Sequence, residues 1–217
     1  MIHLGKTRAV TLLVVLVLLT SLAALSGCVS KGQALVRQKL SQAGQVERGT
    51  TASWVRGGFT AGEKKIVEDP NGQWAVTALA SSSFGDVSYR TGWTPSDACG
   101  PPNVPSLSNS PEAWGPSNEN YGYEWLDLSY ATPVHATGVR IKEVQAVGCI
   151  VIVEIKDTTG KYHVKWKGAD KKERFISWLV LDFPATDYLT DGVKITLDTT
   201  ICPNWKEIDA VQLQGTP

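Results

Sequence analysis

The chain has little of what enzymes are usually built from. Its 217 residues include three histidines, four cysteines and one methionine. His3 lies in the N-terminal apolar segment, leaving His135 beside a predicted strand start and His163 on a predicted hairpin, where imidazoles are ordinarily solvated. No Cys-X-X-Cys pair and no Cys/His spacing suits zinc. GxSxG, HExxH, P-loop and dinucleotide-binding glycine motifs are all missing. Enzyme chemistry is therefore not expected. The one alternative left open is a hydrolase using two carboxylates that are distant in sequence. An excess of either charge is lacking too, with 21 basic against 21 acidic residues. Without Lys6 and Arg8 the balance is slightly acidic, which excludes the basic surface that nucleic acid requires. Outside the N-terminus there is no long hydrophobic run, and no helix-period segment of useful length.

At the N-terminus, Lys6 and Arg8 precede an apolar stretch from Ala9 to Leu25, followed by Ser26, Gly27 and Cys28. A basic start, a short apolar core and small residues where a peptidase must fit are the marks of a secretory signal. The stretch is also at the lower limit for crossing a bilayer, so a transmembrane anchor is the alternative. Leu25-Ser26-Gly27-Cys28 resembles the lipobox of bacterial lipoproteins. That resemblance implies diacylglyceryl transfer to the Cys28 thiol and cleavage before it. It makes 1–27 a signal peptide and 28–72 a lipidated tether. Val29 after the cysteine favours the outer membrane where the host has one.

The tether contains one weak helical pattern, Gln33 to Ala43, with a thin apolar stripe. Trp54 and Phe59, among Gly and Thr residues, suggest a hairpin or a segment that docks on the following domain. Asp69-Pro70-Asn71-Gly72 reads as a turn. Eight tryptophans and 20 glycines suit a loop-rich β protein. Candidate strands are Trp74 to Ala80, Glu124 to Tyr130, Thr137 to Val144, Ile150 to Asp157, Tyr162 to Trp166, Phe175 to Phe183, Gly192 to Asp198 and Ile208 to Gln214. Val139 and Ile141 share one face, as do Tyr162, Val164 and Trp166. Strands at this spacing predict an all-β fold, an antiparallel jelly-roll β-sandwich over 73–217. Between the first two strands lies a long loop rich in Pro, Ser, Gly and Asn, a length that is ordinarily functional or separately ordered.

With Cys28 lipidated, Cys99, Cys149 and Cys202 remain, in a compartment that permits disulfides. Cys149 opens a strong strand and Cys202 precedes the last one, so that pair is the favoured disulfide. Cys99 is then buried, free or an intermolecular link.

Glu124-Trp125-Leu126-Asp127-Leu128 followed by Pro133-Val134 and Ala136 to Ile141 resembles discoidin-like domains, the coagulation factor 5/8 type C modules of the galactose-binding-like superfold. Val151 to Lys156 with Gly160, Trp205 to Val211, Trp74 to Ala78 and the Ala98 to Asn103 loop extend the resemblance to about two thirds of the chain. It implies a jelly-roll whose loops at one end bind sugars, phospholipid headgroups or proteins.

Sugar recognition needs aromatic faces for the apolar side of a ring and amide, carboxylate or Arg groups for its hydroxyls. The candidates are Trp93 with Asp97 and Asn103, Trp114 with Asn118, Tyr121 and Tyr123, and Asn204 with Trp205. Trp93 and Trp114 are either ligand platforms or anchors of the long loop; Trp125 and Trp205 also fit a core-edge role. Calcium is possible, with Asp97, Asn103 and loop carbonyls as ligands, although the spacing matches no specific site. Glu207 and Asp209 share strand parity with Val211 and Leu213, so they are expected to face inward with Arg140 as partner, the alternative being ligand contact or calcium. The sequence thus predicts a lipid-anchored, non-enzymatic module whose partner is a glycan, or alternatively an envelope protein.

Overall fold

The computed structural model describes residues 46–86, 88–89, 91–168, 170, 176–202 and 204–217. Cys28 and the Gln33 to Ala43 pattern lie outside the described residues. The described residues fall in the second of two units, Gly44–Pro217. The second unit comprises, in chain order, β1 (Thr51–Arg56), α1 (Ala61–Val67), β2 (Gly72–Trp74), β3 (Thr77–Ala80), a 3-10 turn (Pro95–Ala98), β4 (Tyr123–Gln145), β5 (Ile150–Asp157), β6 (Tyr162–Lys167), β7 (Ile176–Asp182), β8 (Leu189–Asp198) and β9 (Glu207–Thr216). No helix among the described residues is long and apolar enough to cross a membrane.

The long strand β4 organises the fold. It contains both the Glu124 to Tyr130 and the Thr137 to Val144 segments, which the sequence reads as separate strands. Its register against β8 shifts between Ser129 and Val134. Before that irregularity β4 pairs with β3 and β8; after it, Val134 and His135 still meet β8, and the strand goes on to pair with β7 and β9. One half of the sheet is thus β3-β4-β8-β5-β6 and the other β1-β7-β4-β9-β2, with every pairing antiparallel. Leu126, Leu128, Val153, Ile155, Val193 and Ile195 from the first half share one buried core with Val139, Ile141, Leu179, Leu181, Val211 and Leu213 from the second. This is the two-layer sandwich that alternating strands require.

The folded unit starts well before Gln73, correcting the expected boundary at 72/73. Trp54 docks as part of β1, an edge strand on β7, while Phe59 remains exposed. The seven-residue α1 begins at Thr60, whose side chain accepts the Glu63 N–H at 3.2 Å. Its Ile66 packs with Trp178 and Val180 on the outer face of β7, a second apolar cluster supported by Val55 and Trp74. Close approach there needs a bare backbone, since a Cβ on Gly57 would fall 1.8 Å from Ser177 Oγ.

Beneath α1, the Lys142 ammonium lies 3.1 Å from Glu63 and 3.2 Å from Asp209, and donates to the Val104 carbonyl at 2.6 Å. Asp209 therefore faces outward to Lys142, not inward to Arg140. The alternation fails because β9 bulges: Lys142 pairs with Ala210 and Glu143 with Ile208, leaving Asp209 as the extra residue. Arg140 instead binds Asp182 at 2.5 Å and Gln214 at 2.6 Å. A similar shift in β6 skips Lys165, so Trp166 packs on the core while Tyr162 donates to Asp127 on the outer face.

His135 and His163 are not free surface groups. His163 Nε2 lies 2.8 Å from Asp157, and its ring stacks on Tyr188 at 4.0 Å. His135 Nδ1 lies 2.7 Å from the Thr186 carbonyl. Cys149 and Cys202 form a disulfide with Cα atoms 5.8 Å apart. It ties the start of β5 to the turn before Trp205, and such a link stabilises a domain by typically ~2–4 kcal/mol. Cys99 is a free, half-buried thiol whose pKa burial pushes up to about 11.

Candidate binding site

The long loop between β3 and β4 is held by Trp114. Its N–H donates to the Ile208 carbonyl and its carbonyl accepts the Ile208 N–H, both at 2.9 Å, making a one-residue bridge to β9. Its side chain is fully buried, and Nε1 donates to Ser82 O at 3.0 Å. Of the two roles open to Trp114, the structure assigns the anchor.

Pinning Trp114 brings the rest of the loop to one end of the sandwich. Phe84 N–H donates to the Gly115 carbonyl at 2.8 Å and Trp93 N–H to the Pro111 carbonyl at 3.0 Å. Trp93 itself sits at a left-handed φ of 52°, a conformation non-glycine residues adopt only when surrounding contacts impose it. Phe84 then meets Trp93 edge-on at 5.5 Å and Trp205 at 4.9 Å. These three aromatic residues, with Asn109, Gly115 and Glu207, line a pocket of about 270 Å³. Phe84 is 55% exposed despite its size.

Two buried charges shape this pocket. Glu207, only 2% exposed, accepts Trp93 Nε1–H at 3.1 Å and the Ser110 N–H at 2.9 Å. Burial pushes its carboxyl pKa up, partly offset by those two donors. Lys206 donates to the carbonyls of Glu119 and Asn204, the latter at 2.6 Å, and burial pulls its ammonium pKa down. Its bonds fasten the turn at Asn204, which has a φ of 69°, and so seat the neighbouring Trp205.

None of the other predicted site residues lines this pocket; Asn103 lines a hollow beside α1 and Asp97 a separate cavity next to the 3-10 turn. Asp97 accepts the Thr94 N–H and hydroxyl, each at 2.7 Å, and caps the 3-10 turn. Asn103 places its backbone N–H 3.2 Å from Asp209. Asn118 donates to its neighbour Ser117 at 2.9 Å. Tyr121 is exposed and its backbone N–H is bound to Thr199 at 3.0 Å, while Tyr123 opens β4 half-buried. Among the described residues no group of three or more His, Cys, Asp or Glu side chains is placed to hold a metal ion. Glu143 and Asp170 form a buried carboxylate pair, but neither lines the pocket. Phe84 is the aromatic member sequence reasoning missed, because it stands in a Ser- and Gly-rich stretch with no periodic signal. Glu207, read as an inward partner of Arg140 with ligand contact as the alternative, lines the pocket.

A larger hollow of about 360 Å³ lies beside α1, walled by Phe59, Val67, Pro102 and Pro105. The charged groups lining it already pair with each other, Lys142 with Glu63 and Lys64 with Glu68, and Phe59 is the one aromatic ring among its described lining residues. The loop-end pocket is therefore the better recognition site.

A family model described as pappalysin-1, SD scarf domain, C-terminal, matches residues 66–217. The chain belongs to that family. The scarf-domain match begins within α1, so it covers both layers of the sandwich. Comparison with curated proteins finds no match. The scarf-domain chain is similar in structure to the CBM32-1 and CBM32-2 domains of Clostridium perfringens ZmpB, with 10% identity, a TM-score of 0.52, and coverage of 78% of this chain and 41% of that one. It also resembles chitosan-binding module 1 from a chitosanase/glucanase of Paenibacillus sp. IK-5, at 15% identity and TM-score 0.49 over 64% and 94% of the two chains. A third similar structure is the family 32 CBM from C. perfringens NanJ in complex with galactose, at 14% identity and TM-score 0.44 over 65% and 98%. The fold is discoidin-like and galactose-binding-like.

Proposed function

We propose that this scarf-domain chain is a non-enzymatic binding module, displayed from a membrane by acyl chains on Cys28, that recognises a carbohydrate through the loop-end pocket. The observation that carries the reading is the convergence of Phe84, Trp93 and Trp205 with Asn109 and Glu207 at one end of a rigid sandwich. Aromatic faces take the apolar side of a sugar ring, and the amide and carboxylate take its polar groups. The fold shared with the CBM32 domains of ZmpB supports the same reading. Anchoring rests on the lipobox-like Leu25 to Cys28. Acyl chains contribute about 0.8 kcal/mol per buried methylene, and two or more hold a protein stably on a bilayer.

The test is a glycan array probed with the soluble unit from Gly44 to Pro217, in calcium and in chelator. Binding to a defined sugar is the expected result. A blank array on folded protein sinks the carbohydrate reading and moves the pocket's exposed rings to a protein partner in the envelope. For the anchor, Cys28→Ala is expected to abolish acyl labelling in a lipoprotein-processing host; unchanged labelling refutes it.

A further inference from the structure

We infer that the loop-end pocket selects a sugar carrying a protonated amine, with Glu207 as its counter-ion. This deepens the carbohydrate reading and rests on it. Glu207 lines the pocket, yet among the described residues no Lys, Arg or His pairs with it. The neighbouring acids are arranged differently, since Asp209 on the same strand shares Lys142 with Glu63. Each Glu207 oxygen accepts one neutral N–H, Oε1 from Trp93 and Oε2 from Ser110. A carboxylate oxygen has a second acceptor site, so both retain capacity.

Beside this carboxylate the pocket wall is bare backbone: a Cβ on Gly115 would stand in ordinary van der Waals contact with Lys206 O at 3.4 Å, Trp93 Cδ1 at 3.5 Å and Glu207 Cγ at 3.6 Å. The glycine thus adds no side chain between the indole and the acid, which line the same pocket. An ammonium in the pocket donates charge-assisted hydrogen bonds to Glu207 and gains the attraction of the ring faces. A hydroxyl gains only a neutral-donor bond, and a sugar carboxylate is repelled. The same pocket thus ranks amine above neutral above acidic sugars, a preference that ring stacking alone does not produce.

The experiment is an NMR titration of the Gly44 to Pro217 unit with glucosamine and galactosamine disaccharides and with the N-acetylated form of each. The Trp93 indole N–H, hydrogen-bonded to Glu207, is the reporter. At least one amine form is expected to bind about tenfold tighter than its acetylated twin, shifting that resonance. In Glu207→Gln the two forms are expected to bind alike. Equal affinity in the wild-type protein overturns the inference and leaves the carbohydrate reading standing, because the acetylated sugar still occupies the pocket. Binding by none of the four overturns the inference as well. Whether the carbohydrate reading survives that result is decided separately by the array.

Discussion

Replacing Lys142 with Met is expected to destabilise the domain by about 3–5 kcal/mol, the range for removing one partner of a buried ionic cluster. Methionine keeps most of the lysine's length and removes its charge, so packing against Trp178, whose ring centroid is 5.7 Å from the ammonium, is largely retained. The loss falls on Glu63 and Asp209, both buried. In the wild-type protein burial works to raise both carboxyl pKa values. For Glu63, the Phe59 and Trp178 N–H donors together with Lys142 outweigh burial, and its pKa falls below the ordinary value. For Asp209, Lys142 and the Asn103 and Val104 N–H groups do not fully offset burial, and its pKa stays above. Without the ammonium both folded-state values rise, Glu63 from below its ordinary value and Asp209 from above it. A raised carboxyl pKa costs stability above it and returns that stability as pH falls. Urea unfolding of Lys142→Met is therefore expected to show a large deficit at neutral pH that narrows on acidification. A midpoint equal to wild type at pH 7 would count against the ionic cluster as the clasp between α1 and the sheet.

Trp93→Ala is expected to abolish measurable sugar binding while leaving the fold intact. Truncating a central aromatic contact costs at least ~2 kcal/mol, about a 30-fold loss of affinity, and carbohydrate affinities leave little margin. Trp93 sits on the pocket wall half-exposed, so its removal leaves the Leu, Ile and Val core untouched. Trp114→Ala is the contrasting variant. Its ring is wholly buried and its indole bonded to Ser82, so a stability loss of roughly 3–5 kcal/mol is expected. Thermal unfolding and sugar titration run on both variants separate the roles. Wild-type sugar affinity in a folded Trp93→Ala protein would remove this pocket from consideration.

The two tryptophans show how far the sequence reaches. Both stand in the same Pro- and Ser-rich loop with similar neighbours, and local pattern cannot tell a ligand platform from an anchor. The distinction comes from the bridge between Trp114 and Ile208, a contact across more than ninety positions. The N-terminal portion of the domain was hidden for a related reason. A six-residue strand and a seven-residue helix carry too few apolar residues to form a pattern. They are stable because Ile66, Trp178 and Lys142 meet on the outer face of β7 and β4, which is tertiary packing and not propensity.

What the sequence determined by itself is the fold class: alternation in β4, β5, β7, β8 and β9 commits one face of each strand to a common interior, and the hydrophobic effect leaves a sandwich as the way to bury them all. It also named Trp93 and Trp205. The tertiary structure alone decided that Phe84 and Glu207 join them, that Asp209 turns outward to Lys142, and that the domain begins near Gly44. Those outcomes depend on strand bulges and on a left-handed turn, each of which re-aims a side chain by local backbone geometry that residue periodicity does not encode.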